Sequence, residues 1–398
     1  MKSLVNDSDN TVVVTGIGIV TAIGADREST WQKLLQGKSG IEFDQQLELP
    51  LARIHSSESS LESAQFRSRS QFLLHKATIA AITDANMELP AVNCGVVIGS
   101  SRSHQRELEL LLDQYDQHDQ QFINHIDQFG QYWRHLQPAT LSAHIAQLIQ
   151  TQSPVFAPMA ACATANWAIA QASELIRAGR CEIAIAGATD AAITPLTIAG
   201  FQKIGVLAKS GVHPFSQERS GFALGEGAAT LVLESLSSAK KRGGKIYGHV
   251  LGWGITNDAY HATSPNPDNQ MAAVALQDCL LRSQITPADI GYINVHGTAT
   301  MMNDAREANL IQQFCPHAAV SGTKGATGHS LGATGMIEAA FCLLALRDRQ
   351  LPPCVGMRTP AFDLSMVSQS ESAPNLQYAL NFSFGFGGQN AIIAFGQI

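Results

Sequence analysis

Short apolar runs rich in β-forming residues alternate with longer alanine-rich segments along this chain of 398 residues. Strands that alternate with helical segments fold as layers in which helices cover a sheet, so the pattern predicts a layered α/β protein. Two alanine-rich segments, at 163–178 and 331–346, are predicted to be long helices. The predicted strands lie at 11–14, 94–98, 181–186, 229–233, 291–295 and 391–395.

The composition narrows the classes of function open to this chain. It is 45% hydrophobic and 15% charged, a balance that allows a large buried core and argues against disorder. A net charge of -7 is too acidic for a protein whose main partner is a nucleic-acid backbone. No apolar run reaches the roughly 18 residues that a transmembrane helix needs. We therefore expect neither a nucleic-acid nor a membrane partner.

The N-terminal residues and the cysteines indicate the cellular compartment of the protein. The first ten residues lack the apolar core of a signal peptide. The seven cysteines are odd in number, widely scattered and without CxxC spacing. Such cysteines are typical of reduced cytosolic thiols rather than of disulfides or a zinc site. We therefore expect a cytoplasmic protein.

A short cluster of basic residues and glycines, at 240–245, separates a front half from a back half. No long linker joins them, so we expect the halves, residues 1–245 and 246–398, to pack as one unit. Both begin with a β-rich stretch that ends in glycines, at 12–18 and 246–254. This similarity hints at an internal duplication.

Gly16 and Gly18 invite comparison with the dinucleotide-binding motif GxGxxG. The third glycine of that motif would fall on Thr21, and no acidic residue ends a second strand at the required distance. We therefore reject a dinucleotide-binding interpretation and expect a plain turn after the first strand.

The strongest candidate for catalysis is Cys162, which lies among small residues at the start of a predicted alanine-rich helix. Backbone N–H groups at a helix start favour a thiolate, and small neighbours leave room for a substrate. A lone cysteine is more often a buried structural thiol. The choice between these interpretations depends on residues elsewhere in the chain.

Two histidines lie in settings that favour a catalytic role. His296 opens a polar Gly/Thr turn at the end of a predicted strand, where the sites of α/β sheets gather. His329 ends a glycine-rich turn before a predicted helix that contains Glu338. If that helix face is buried, Glu338 needs a partner, and Lys324 is the best nearby candidate. One cysteine and two histidines could also bind zinc, although no two of these ligands are closely spaced in sequence.

Several short motifs follow one another along the chain in order. They lie at 14–18 (VTGIG), 161–164 (ACAT), 213–216 (HPFS), 221–228 (GFALGEGA), 257–261 (NDAYH), 296–300 (HGTAT), 322–329 (GTKGATGH) and 384–388 (FGFGG). In this order they resemble the motifs of the elongating, type II β-ketoacyl-[acyl-carrier-protein] synthases, and the resemblance runs nearly end to end. One such motif would be weak evidence, whereas the ordered series is specific.

The resemblance implies a thiolase-like α/β fold in which two similar halves stack as five layers, αβαβα. It also implies an acyltransferase that condenses an acyl thioester with malonyl-acyl carrier protein. Carbon dioxide is lost and a 3-oxoacyl-acyl carrier protein forms, in fatty-acid or polyketide elongation. Neither a metal nor another resident cofactor is implied, because phosphopantetheine arrives on the carrier protein.

By the same resemblance, five residues would be catalytic. Cys162 would be the nucleophile that accepts the acyl group. His296 and His329 would hydrogen-bond the malonyl thioester carbonyl and stabilise the enolate. Lys324 and Glu338 match a pair that supports His329 without transferring protons.

Five further residues match substrate-binding positions of the family: Thr298, Thr300, Phe222, Phe386 and Gly387. The two threonines match residues that contact the pantetheine arm. The ring of Phe386 would gate the acyl pocket, and its backbone N–H would share an oxyanion hole with that of the nucleophile.

The implied partners are an acyl carrier protein and a second subunit. A homodimer is the usual assembly in the family, and a heterodimer with a chain-length subunit stays open. A thiolase shares the fold but uses a second catalytic cysteine in a C-terminal CxG motif, and no cysteine follows Cys354. A non-catalytic carrier-binding scaffold is the remaining alternative.

Overall fold

The computed structural model of this protein describes residues 11–55, 66–116 and 126–398. Its strands are β1 (Val12–Thr21), β2 (Glu42–Asp44), β3 (Leu49–Ala52), β4 (Cys94–Gly99), β5 (Val155–Phe156), β6 (Ile183–Ala191), β7 (Leu224–Ser235), β8 (Gly248–Asn257), β9 (Tyr292–Asn294), β10 (Ala319–Ser321), β11 (Gln350–Leu351), β12 (Glu371–Ser372), β13 (Tyr378–Gly385) and β14 (Gln389–Gly396). Its helices are α1 (Arg27–Leu35), α2 (Arg69–Asp84), α3 (Gln105–Asp116), α4 (Ile126–His135), α5 (Ala139–Ile149), α6 (Thr164–Arg177), α7 (Pro195–Lys203), α8 (Leu236–Lys241), α9 (Gln270–Ser283), α10 (Met301–Phe314), α11 (Lys324–Thr327) and α12 (Thr334–Asp348). Short 3₁₀ turns occupy Pro287–Asp289 and Leu331–Ala333.

The elements alternate as the sequence predicts. Each predicted strand overlaps an observed one, so that 94–98 lies in β4 and 391–395 lies in β14. α6 and α12 confirm the two alanine-rich helices, although α12 follows a 3₁₀ turn instead of beginning at residue 331. None of the helices in the described residues is long and apolar enough to cross a lipid bilayer.

The main sheet path contains two halves with the same strand pattern. The front half runs β5-β4-β6-β7-β1 and the back half runs β10-β9-β13-β14-β8. In each half the first three strands are parallel, and the last two are antiparallel to their neighbours. β1 and β8 pair over three residues and join the halves. The similarity between the starts of the two halves in the sequence therefore corresponds to a repeated strand topology. The predicted boundary after residue 245 stays a prediction.

Two helices lie between the halves. α6 packs on β4 and β6, α12 packs on β7 and β13, and the two helices contact each other. On the outside, α2 covers β1 and β7, whereas α9 covers β8 and β14. α12 is buried on all sides from Thr334 to Leu346, as expected for an apolar helix at the centre of the molecule. This stacking is the five-layered thiolase-like architecture that the resemblance implies.

The expectation of a turn at Gly16 and Gly18 is wrong, because β1 continues through both glycines. α2 crosses the strand so closely that a Cβ on Gly18 would lie 1.9 Å from the carbonyl oxygen of Ala77. Gly254 in β8 has the same role against α9, where a Cβ would lie 1.7 Å from the carbonyl oxygen of Ala275. These glycines permit close packing of helix on strand.

Candidate active site

Cys162 lies in the turn that leads into α6. The residue before it, Ala161, has a left-handed backbone with φ of 49°. The carbonyl oxygen of Cys162 accepts a hydrogen bond from Oγ of Ser383 at 2.9 Å. The backbone of Gly385 approaches so closely that a Cβ there would lie 3.0 Å from the nitrogen of Cys162. The candidate nucleophile is therefore held between the start of a central helix and the end of β13.

The sulfur of Cys162 contacts the imidazole of His329. Sγ lies 3.1 Å from Nε2 of that ring, and Nδ1 lies 3.0 Å from Oγ1 of Thr334 in the first turn of α12. A hydroxyl that donates to Nδ1 leaves the ring proton on Nε2, which then faces the sulfur. Thr334 is thus a site residue that the sequence motifs did not identify.

His296 completes the group. Its ring centroid lies 5.3 Å from that of His329, with the ring planes at 82°. The backbone N–H groups of His296 and Gly297 donate to the two carboxylate oxygens of Glu307, at 2.6 and 2.7 Å. The side-chain amide of Asn303 donates to the same carboxylate at 2.7 Å. Glu307 therefore fixes the turn that presents His296.

Lys324 and Glu338 form the ion pair that the sequence predicts. Nζ of Lys324 lies 2.7 Å from Oε1 of Glu338, and both side chains are fully buried. The hydroxyl of Thr323 donates to the same oxygen at 3.2 Å. Burial raises the pKa of Glu338 to about 7, and the charge of Lys324 opposes that shift.

Burial sets the protonation of the three central groups. It lowers the pKa of His296 and of His329 well below the usual value, and the charge of Lys324 lowers both further. Both imidazoles are therefore neutral near pH 7, and each can donate one N–H. Burial also raises the pKa of the Cys162 thiol to about 12, with Lys324 opposing. Burial therefore favours the thiol, whereas the backbone N–H groups at the helix start favour the thiolate.

The three groups open into one cavity of about 260 Å³. Seven of the predicted site residues line it: Cys162, Phe222, His296, Thr298, Thr300, His329 and Phe386. Lys324, Glu338 and Gly387 do not. The N–H of Gly387 donates to the carbonyl of Ala262 at 2.7 Å, which anchors the loop that carries Phe386. A direct contact of Gly387 with substrate stays a prediction.

Aromatic rings form one wall of this cavity. Phe222 meets the ring of His329 edge to face, with 4.9 Å between centroids. Phe201 lies 5.4 Å from Phe222 and 6.1 Å from Phe386. Two glycines with positive φ follow Phe386. A glycine-rich loop of this kind can move an aromatic gate without backbone strain.

The site also contains charged residues that the sequence analysis missed. Arg306 and Asp258 line the cavity, with Nη2 of Arg306 lying 3.1 Å from Oδ1 of Asp258. Asp304 and Glu307 are buried on α10 beside Arg306. The three-residue spacing of these two carboxylates places them on one helix face, which is the signal that could have identified them.

Sγ of Cys162 and one ring nitrogen of each histidine lie within 4.8 Å of one another. Zinc ligands lie as close as this, so the zinc alternative is compatible with the geometry. The same atoms can instead attack and polarise a thioester. These two chemistries respond differently to a chelator.

Comparison with known proteins extends over almost the whole chain. The family model "Beta-ketoacyl synthase, N-terminal domain" matches residues 9–239, and "Beta-ketoacyl synthase, C-terminal domain" matches residues 247–358. The 3-oxoacyl-[acyl-carrier-protein] synthase 2 of Staphylococcus aureus (strain COL) is 32% identical, over 96% of this chain and 97% of the relative.

Solved structures agree with these matches. The ishigamide ketosynthase/chain length factor superposes with a TM-score of 0.87 at 28% identity, over 98% of this chain and 99% of that chain. A type II PKS ketosynthase, bound to the hexaketide and in complex with its acyl-carrier protein, gives a TM-score of 0.86 at 26% identity, with the same coverage. The fold, the cysteine and two histidines in one cavity, and the full-length relatives lead to one conclusion: the chain belongs to the β-ketoacyl synthase family.

Proposed function

We propose that this protein lengthens a carrier-bound acyl chain by decarboxylative Claisen condensation with malonyl-acyl carrier protein. One observation carries the proposal: in one cavity, a cysteine sulfur lies 3.1 Å from an imidazole whose ring centroid is 5.3 Å from that of a second imidazole. A sulfur nucleophile that also leaves well, and two neutral N–H donors, are the groups that such a carbon–carbon condensation needs.

In the first half-reaction, Cys162 takes the acyl group. Sγ attacks the thioester carbon, the C–S bond to the carrier breaks, and the phosphopantetheine leaves as a thiol that carries the proton lost by Sγ. The N–H of His329, 3.1 Å away, stabilises the developing thiolate. The backbone N–H groups of Cys162 and Phe386 form the oxyanion hole for the tetrahedral intermediate.

In the second half-reaction, malonyl-acyl carrier protein enters the site. The bond between its C2 and the carboxylate carbon breaks, carbon dioxide leaves, and the electron pair moves onto the thioester oxygen as an enolate. The N–H groups of His296 and His329 stabilise this oxygen. The enolate carbon then attacks the carbonyl of acyl-Cys162, the C–S bond breaks, and the released thiolate takes one proton from solvent. The product is a 3-oxoacyl chain on the carrier protein.

Other residues support these steps without changing covalently. Lys324, which Glu338 holds in place, has a positive charge that helps to keep both imidazoles neutral. The hydroxyls of Thr298 and Thr300, 2.9 Å apart at the cavity wall, suit the amide groups of a pantetheine arm. Because phosphopantetheine arrives on the carrier protein, the proposal includes no resident cofactor.

We also propose that the protein binds acyl carrier protein and functions as a dimer. The complex of a related ketosynthase with its carrier protein supports the first part. An exposed sheet edge supports the second, because β5 ends the sheet path and its Val155 and Phe156 are 39% and 45% exposed. Nearby Met159 is 67% exposed. A second copy of this chain, or a chain-length subunit, would cover such an edge.

The thiolase alternative is less compatible with the site. All seven cysteines lie in the described residues, and Cys162 is the one that lines the cavity. A second catalytic cysteine, as in a thiolase, is therefore not positioned there. The cytoplasmic location inferred from the free thiols stays a prediction.

The test is a panel of acyl-carrier substrates with malonyl-acyl carrier protein, with products identified by mass. Intact-protein mass spectrometry should show an acyl adduct on Cys162 before the malonyl substrate is added. The Cys162→Ala variant should fold, carry no adduct and elongate nothing. Cys279→Ala, which changes a buried thiol outside the cavity, should retain both steps. An unmodified Cys162, or elongation by Cys162→Ala, would refute the proposal.

A further inference from the structure

One cation faces the cavity that the malonyl thioester must enter. Among the described residues that line it, Arg306 is the only lysine or arginine and Asp258 is the only acid. His296 and His329 are neutral, since burial lowers the pKa of each well below its usual value. The positive charge available to an anion at the cavity wall is therefore that of Arg306.

Arg306 is held firmly, with one nitrogen left open. Its side chain is 6% exposed, and Nη2 lies 2.7 Å from Oδ1 of Asn390 and 3.1 Å from Oδ1 of Asp258. Nε donates to Oδ1 of Asn269 at 2.7 Å, and the guanidinium carbon lies 5.0 Å from the centroid of the Phe384 ring. Nη1 has no hydrogen-bond partner within the described parts of the chain, and the residue lines the cavity.

The ring of Phe384 contacts both Arg306 and His296. Its ring centroid is 6.2 Å from that of His296, nearly perpendicular to it. The guanidinium charge is also one of the causes of the lowered pKa of His296. An anion bound at Nη1 would therefore share the cavity with the imidazoles that are proposed to hold the thioester oxygen.

The malonyl thioester brings a carboxylate into this cavity. A carboxylate loses favourable hydration on burial and needs a cation or strong donors in exchange. A guanidinium N–H supplies a charge-assisted hydrogen bond to such a group. Asp258 occupies Nη2 and leaves Nη1 free to donate to a second anion.

We propose that Nη1 of Arg306 binds the malonyl carboxylate and selects this anionic substrate in the second half-reaction. The inference rests on the proposed condensation. Since the carboxylate leaves as neutral carbon dioxide, the contact belongs to the ground state and weakens toward the transition state. Loss of Arg306 should therefore raise the KM for malonyl-acyl carrier protein without lowering kcat.

The binding test uses two stable pantetheine analogues, a malonyl amide in place of the thioester and the methyl ester of that amide. By calorimetry, the wild-type protein should bind the carboxylate form about tenfold more tightly than the ester. Arg306→Gln should lose this preference, and Arg306→Lys should keep part of it. Asn269→Ala removes the acceptor of Nε but not the charge, so it should preserve the preference.

Acylation of Cys162, read by intact mass, separates this inference from the proposed function. The inference stands if Arg306→Gln is still acylated while its KM for malonyl-acyl carrier protein rises about tenfold. An unchanged preference in Arg306→Gln would overturn it. An equal loss of the preference in Asn269→Ala would also overturn it, because the position of the Arg306 side chain, and not its charge, would then be responsible. If the Arg306 variants do not fold, the absence of any preference in the wild-type protein overturns it.

Discussion

Nζ of Lys324 and Oε1 of Glu338 lie 2.7 Å apart, with no solvent access to either side chain. The desolvation penalty of burying two charges can exceed the Coulombic attraction between them, so a buried ion pair is weak evidence for stability. The second carboxylate oxygen of Glu338 has no hydrogen-bond partner in the described residues. Because the charge of Lys324 lowers the pKa of both His296 and His329, in addition to the larger effect of burial, we infer that the pair serves to set the electrostatic potential around these two rings.

Breaking this pair should cost stability, whereas replacing both charges should cost activity. Lys324→Met leaves a buried carboxyl group unpaired and should lower the free energy of unfolding by about 3 to 5 kcal/mol, measured by urea denaturation. The double variant Lys324→Met/Glu338→Leu should recover most of that loss. The double variant should still release carbon dioxide from malonyl-acyl carrier protein about tenfold more slowly than the wild-type protein, since the positive charge of Lys324 near the imidazoles is gone. Wild-type release by the double variant would contradict the electrostatic role.

Alkylation of Cys162 should depend steeply on pH. Burial raises the pKa of this thiol to about 12, so the reactive thiolate is a small fraction at neutral pH. Below the pKa, that fraction grows about tenfold for each pH unit. The rate of iodoacetamide labelling, followed by intact mass, should therefore rise without a plateau between about pH 7 and about pH 9. A plateau near neutral pH would mean that the helix start controls the thiol, as the sequence alone suggests.

Local signals in the sequence predict three residues that the structure brings to one cavity. The turns and the helix start around Cys162, His296 and His329 single these residues out, because such features depend on neighbouring residues. Their contact was not derivable from spacing, since Cys162 and His329 meet across 167 positions. The resemblance to a family supplied that convergence.

The residues whose roles the sequence does not reveal have one physical feature in common. Arg306 and Glu307 look like solvent-facing residues of an amphipathic helix until the elements packed on α10 are known. Gly16 and Gly18 look like a turn until α2, which comes later in the chain, is placed against them. In each case a contact with an element that is distant in sequence explains why that residue occurs at that position.

Metal removal should leave the enzyme unaffected. The condensation as proposed uses the sulfur of Cys162 as a free nucleophile, whereas zinc bound by Cys162, His296 and His329 would block it. Dialysis against a chelator should therefore preserve elongation, and added zinc should inhibit it in a way that the chelator reverses. Loss of activity on chelation, restored by zinc, would favour the metal alternative.

Substitution of Glu307 should slow the decarboxylation half-reaction and leave the acylation of Cys162 unchanged. Its carboxylate accepts the N–H groups of His296 and Gly297, and Glu307→Gln would turn a side-chain donor toward one of them. The misplaced imidazole should slow release of carbon dioxide about 10- to 100-fold. Acylation of Cys162 should stay near the wild-type rate, because it uses the other histidine. Gln313→Ala, on the exposed face of α10, serves as the control and should change neither rate. If Glu307→Gln slowed both half-reactions equally, general disruption of the site would explain the loss better than the position of His296.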